Sequence, residues 1–135
     1  TPTPAAHYVP WVVDDTTVYL AGQTPKEGSV LKYKGQLGTN LNTDEGYAAA
    51  RLCALRLLSG LHAAAGLENV ERILKLTGFV NATCTFSQHP QVANGASDLV
   101  HDVLGDAGVH ARSAVGAYSL PGGAAVEVEM IARIS

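Results

Sequence analysis

The residues best suited to chemistry fall near the end of the chain. They lie in His110-Ala111-Arg112-Ser113-Ala114-Val115-Gly116-Ala117-Tyr118-Ser119-Leu120-Pro121, followed by Val126-Glu127-Val128-Glu129. The run reads as two strands joined by a tight Pro-Gly-Gly turn. If the strands pair across that turn, alternation sets Ala111, Ser113, Val115 and Ala117 against Val126, Val128, Met130 and Ala132 on an apolar face that meets helices. The other face carries His110, Arg112, Gly116 and Tyr118 with Glu127, Glu129, Ile131 and Arg133, turned toward solvent or another subunit. A guanidinium is always charged and presents a planar fork of donors that suits a small carboxylate. Two readings follow. In the plainer one, which periodicity alone favours, Arg112, Glu127, Glu129 and Arg133 form cross-strand ion pairs on a wet surface, worth about 0–1 kcal/mol each. In the other, Arg112 holds a substrate carboxylate while a glutamate handles water or a proton.

The elements that must position these groups are legible along the chain. Tyr8 to Val13 and Thr17 to Ala21 read as two strands turned at Asp14-Asp15. Pro25 to Asn42 is glycine-rich and polar and reads as a long loop with a short strand near Val30 to Tyr33. A first helix starts at a cap supplied by Asn42 or Thr43 and runs to about Ala65, with Gly66 at its end. Leu52 and Leu55 interrupt its polar arc, so the helix is expected to be buried on more than one side. Val70 to Asn81 alternates as a strand, with Val70, Leu74, Leu76, Gly78 and Val80 on one face and Ile73 on the other. Pro90 opens a second helix running to about Leu104, striped by Val92, Ala96, Leu99 and Val103. Gly95 within it implies close packing.

The whole chain narrows the field of functions. Its 135 residues suit one domain with a core, and 47% hydrophobic against 16% charged residues argues against disorder. A net charge of −3 without a basic stripe disfavours nucleic-acid binding. Cys53 and Cys84 have neither redox nor zinc spacing, and Cys53 sits in an apolar helical pattern as a small buried hydrophobe. No apolar run reaches membrane-spanning length, and Thr1-Pro2-Thr3-Pro4 lacks the marks of a secretory signal, so a cytoplasmic setting is expected. His7, His62, His89, His101 and His110 show no paired ligand spacing and read as surface or capping histidines.

Several strings together resemble one family. They are Leu20-Ala21-Gly22-Gln23, Ala64-Ala65-Gly66-Leu67, Lys75-Leu76-Thr77-Gly78-Phe79-Val80, His110-Ala111-Arg112-Ser113-Ala114-Val115, and Leu120-Pro121 followed by Val126-Glu127-Val128-Glu129-Met130-Ile131-Ala132. In order and spacing they resemble the Rid family, the reactive intermediate deaminases also called YjgF-like, over nearly the whole chain. The His110–Gly116 run and Asn94-Gly95-Ala96-Ser97-Asp98-Leu99 look like marks of a branch.

The resemblance implies a chorismate-mutase-like α+β fold, a mixed sheet with two helices packed on one face. It also implies a homotrimer with sites in clefts between subunits. The implied activity is hydrolysis of enamines and imines such as 2-aminoacrylate to 2-oxo acids and ammonia, with no cofactor and no metal. By the same resemblance Arg112 binds the substrate carboxylate, Glu127 stands near the attacking water, Tyr8 is an aromatic residue near the pocket mouth, Asn94 is a polar contact on the second helix, and Gly35 is a loop glycine whose backbone approaches the ligand. Family members often carry a cysteine two residues after the arginine; this chain has Ala114. Two rivals stand beside the deaminase. One is a non-catalytic binding protein for small carboxylates in the same cleft. The other is a ribonuclease, a label some family members bear, against which the acidic charge and the lack of a histidine pair weigh.

Overall fold

Helices α1 (Thr43–Ala65) and α2 (His89–Leu104) form one layer of the structure, a computed structural model that describes residues 7–135. The Thr1-Pro2-Thr3-Pro4 segment lies outside those residues. Of the two candidate caps, Asn42 starts α1. Its Oδ1 accepts from the Glu45 backbone N at 2.8 Å, and Glu45 Oε1 accepts from the Asn42 backbone N at 2.9 Å. This reciprocal box satisfies two donors that a bare helix start would leave open. Cys53 is wholly buried, as its pattern implies, whereas Leu55 is left exposed.

The two helices touch through their smallest residues. A Cβ on Gly95 of α2 would collide with the Tyr47 carbonyl oxygen of α1, so glycine there sets how closely the helices approach. Tyr47 Oη donates to Asp98 Oδ2 at 2.6 Å across the same contact. Val92, Ala93, Ala96, Leu99 and Val100 are buried along α2, but the stripe ends there and Val103 in the last turn is exposed.

Both helices cover one face of a mixed sheet in the order β1-β2-β7-β5-β6. Its strands are β1 (Trp11–Asp14), β2 (Thr17–Gln23), β5 (Val70–Asn81), β6 (Ala111–Ala117) and β7 (Val126–Ile134). The segment expected to be a long loop contains a separate hairpin of β3 (Lys26–Glu27) and β4 (Val30–Leu31). Among the described residues, no helix is long and apolar enough to cross a membrane.

The last two strands are not neighbours, which corrects the hairpin expected for them. After α2 the chain enters β6 parallel to β5, forming a βαβ unit that leaves β6 at the sheet edge. The chain must then cross the end of β5 to enter β7, which pairs antiparallel with β2 and with β5. The Pro-Gly-Gly segment is a short 3₁₀ turn within this crossing. Gly35 N donates to Gly123 O, and Ala125 N to Tyr33 O, tying the crossing to the loop beneath it.

This order reverses the face assigned to β6. Val126, Val128, Met130 and Ala132 of β7 are buried toward the helices as expected. Leu76 pairs with Met130 on one side and with Arg112 on the other, so Arg112 shares their helix-facing side. Glu127 pairs with Phe79, and Phe79 with Val115, on the opposite, uncovered face. Arg112 and Glu127 therefore do not share a face within one chain. β5 also departs from strict alternation. Its pairing with β7 slips between Ile73 and Lys75, an extra residue that turns Ile73 to the core and leaves Leu74 only half-buried.

Gly95→Ala is expected to destabilise the fold by about 1–3 kcal/mol through overpacking. Gly78→Ala, whose added methyl would meet the Ala93 Cβ at an ordinary 3.5 Å, is expected to be near neutral. Urea unfolding of both variants checks the contrast.

Candidate functional site

Arg112 is the second residue of β6 and is half-buried under α2. Its Nη1 donates to Asn94 Oδ1 at 2.8 Å and to Ser97 Oγ at 3.1 Å. Asn94 and Ser97 are three apart on α2 and so project from the same side of the helix. Both acceptors are neutral. The ion pair seen among the described residues joins Arg133 Nε to Glu71 Oε1 at 3.2 Å instead, on two half-exposed side chains. The expected pairing of Arg112 with a glutamate is not formed, and its charge has no internal partner among the described residues.

Ser97 is itself held. Its Oγ lies 2.9 Å from His110 Nε2, and His110 Nδ1 lies 2.6 Å from the Gly108 carbonyl oxygen. The sequence alone does not single out Ser97 or His110 for this arrangement, and His110 reads there as a surface or capping residue. The signal lies in two spacings: Ser97 follows Asn94 by three on a helix, and His110 precedes Arg112 by two, just ahead of β6. Gly116, two residues further along β6 from Ala114, is likewise helix-facing, with the His89 ring beside it.

Glu127 stands on the uncovered face, half-buried. Burial, and then the nearby Glu129 carboxylate, push its pKa above the ordinary carboxylate value. Gly22, the penultimate residue of β2, gives it room: a Cβ there would collide with Glu127 Oε2. Cys53 lies behind this strand, with Sγ 3.7 Å from the Val126 carbonyl oxygen, and burial drives its thiol pKa strongly upward. A thiol so shielded is held as the unreactive neutral form.

The remaining expected residues lie elsewhere. Tyr8 precedes β1 and is 54% exposed. Gly35, at φ 139°, lines a groove with Lys34, Gln36, Thr39, Asn40, Tyr118 and Gly123, floored by the buried Asn81. That groove includes neither Arg112 nor Glu127. Within one chain the structure brings Arg112 and Asn94 together and leaves Glu127, Tyr8 and Gly35 outside Arg112's hydrogen-bonding partners.

Comparison with known proteins defines the class. Residues 3–134 match the family described as "YjgF/chorismate mutase-like, putative endoribonuclease". Protein TCP17 of Trypanosoma cruzi is 46% identical over 134 residues, covering 98% of this chain and 84% of that protein. Among solved structures, a protein of unknown function from Agrobacterium tumefaciens is 39% identical with a TM-score of 0.94, covering 97% of this chain and 84% of that one. A "putative endoribonuclease" from Shewanella oneidensis is 31% identical with a TM-score of 0.95, covering 98% and 89%. The chain thus belongs to the YjgF/chorismate-mutase-like family, and its sheet with two helices on one face is that family's α+β fold.

The raised pKa of Glu127 makes a testable statement about stability. The folded state binds this proton more tightly than the unfolded state, so the ionised carboxylate opposes folding above the folded pKa. That cost disappears below the unfolded value. Glu127→Gln is therefore expected to unfold at a higher temperature than the parent at neutral pH, with the gap closing as pH falls below about 4. Paired melting curves across that range provide the check.

Proposed function

We propose that the chain is a hydrolytic deaminase of reactive enamines and imines of the 2-aminoacrylate kind, releasing 2-oxo acids and ammonia. The observation that carries this reading is the setting of Arg112: a half-buried guanidinium held by two neutral acceptors, without a carboxylate partner among the described residues. Such a group is a receptor for a small anionic carboxylate. The branch strings His110–Gly116 and Asn94–Leu99 belong to this reading, because they supply the arginine and both of its acceptors.

The chemistry asks little of the protein. Protonation of the enamine at carbon gives an iminium ion whose carbon is already electrophilic. Water adds there, a proton moves to nitrogen, and the carbinolamine collapses to the 2-oxo acid and ammonia. Orientation of the substrate and a group that gives and takes protons are sufficient. The upward pull on the Glu127 pKa suits it to that exchange.

Arg112 and Glu127 face opposite sides of the sheet in one chain, so in this reading a site takes its arginine and its glutamate from different subunits. We read the assembly as a homotrimer. Val12, Tyr19 and Val115 are large apolar side chains exposed on the uncovered sheet face, the kind of surface that association buries. Free Cys53 and Cys84 accord with a cytoplasmic setting, and the acidic balance with a small-molecule partner rather than nucleic acid or membrane.

The same separation of Arg112 from Glu127 favours one alternative. If assembly does not bring a glutamate to the arginine, the site holds a small carboxylate without turnover. Ammonia and 2-oxo acid release from enzymatically generated 2-aminoacrylate tests the deaminase. Calorimetry with 2-oxobutyrate tests binding, and single-stranded RNA in chelator tests the ribonuclease label. Arg112→Ala is expected to lower kcat/KM for deamination about a hundredfold or more, the loss of two charge-assisted hydrogen bonds. Arg112→Lys, which keeps the charge and loses the fork, should fall between. Equal rates for parent and Arg112→Ala would overturn the reading.

A further inference from the structure

The hydrogen bonds around Arg112 run in one direction. The Gly108 carbonyl can only accept, so at 2.6 Å it takes the proton of His110 Nδ1. In the neutral ring Nε2 is then an acceptor, and at 2.9 Å it takes the hydroxyl proton of Ser97. The Ser97 oxygen is left with its lone pairs, which accept from Arg112 Nη1 at 3.1 Å. A hydroxyl free to rotate could direct its proton toward the guanidinium and repel it; His110 removes that freedom.

The far end of the chain of bonds decides which part of the guanidinium is free. Nη1 has two hydrogens, and Asn94 Oδ1 and Ser97 Oγ account for both acceptors it needs. The end-on pair of donors, one from each terminal nitrogen, is thereby broken. The side-on pair, Nε–H with the adjacent Nη2–H, has no acceptor among the described residues.

We propose that a ligand carboxylate binds Arg112 side-on, through Nε and Nη2, and that Ser97 and His110 are positioning residues that hold that edge in place. The proposal rests on Arg112 being the carboxylate receptor, as in the function given above. It adds two residues that touch neither substrate nor reacting atoms and act through the arginine alone. Their effect is on binding, equally in ground and transition states, so their loss should raise KM and leave kcat in place.

The test uses the full chain, with 2-oxobutyrate as the binding probe and 2-aminoacrylate hydrolysis as the activity. Ser97→Ala and His110→Ala are each expected to weaken 2-oxobutyrate and raise KM about three- to tenfold, the cost of ordering a loosened side chain on binding. Their kcat should stay within about twofold of the parent. Ser97→Thr, which restores the hydroxyl, should recover most of the loss. His110→Ala added to Ser97→Ala should cost nothing further, because the two residues act in series. Ser97→Ala is mild for a helix position, so folding is preserved for the measurement.

Failure has two distinguishable forms. If Arg112→Ala leaves binding and rate unchanged, the carboxylate-receptor reading fails and this proposal with it. If Arg112→Ala abolishes both while Ser97→Ala and His110→Ala behave as the parent, the receptor stands and the positioning role is overturned. A drop in kcat and melting temperature at unchanged KM in the two variants would likewise overturn it, since that is the mark of a merely structural contact.

Discussion

The insertion of β7 between β2 and β5 is the constraint from which the rest follows. Val126, Val128, Met130 and Ala132 are all buried beneath the helices, and both edges of the strand are hydrogen-bonded to neighbours. Burying one side of a strand that continuously fixes its other side as well. Glu127, Glu129 and Ile131 are committed to the uncovered face, and β6 is kept one strand away from them at the edge. An acid and a cation that lie fifteen positions apart in the sequence are thereby sent to opposite sides of one sheet.

Where the cation goes depends on the helix layer. α2 is packed on α1 with no side chain at Gly95, and Asn94 and Ser97 flank that glycine. The same close contact that joins the helices thus sets the depth of the two acceptors over β6. The strand contributes Arg112 in register with Leu76, a wholly buried core residue, so the arginine's backbone is as fixed as the core itself. Its side chain is restrained by neutral oxygens, which orient the guanidinium without neutralising it.

Much of this was written locally in the sequence. The extent of β5, the capping of α1 near Asn42 and the alternation of β7 follow from periods and caps that involve only nearby residues, and the structure reproduces them. The side of Glu127 was legible for the same reason. The side of Arg112 was not. It depends on which strand β6 pairs with, and a Pro-Gly-Gly segment is equally at home in a hairpin and in a crossing over a third strand. One extra residue at Leu74 inverts part of β5, which no count of alternation detects. Asn94 and Gly35 came from resemblance alone. Asn94 stands against Arg112, while Gly35 belongs to a separate groove.

A cation whose hydrogen-bond acceptors are both neutral carries no built-in counter-ion among the described residues. The Nε–H and Nη2–H donors stay open to small anions from solution, so chloride, sulfate and phosphate compete there with any carboxylate. Apparent affinity at Arg112 is then a contest rather than a fixed constant, sensitive to ionic strength and to the buffer chosen. Under the proposed deaminase function, in a medium crowded with organic acids, turnover would then begin with an exchange of one anion for another.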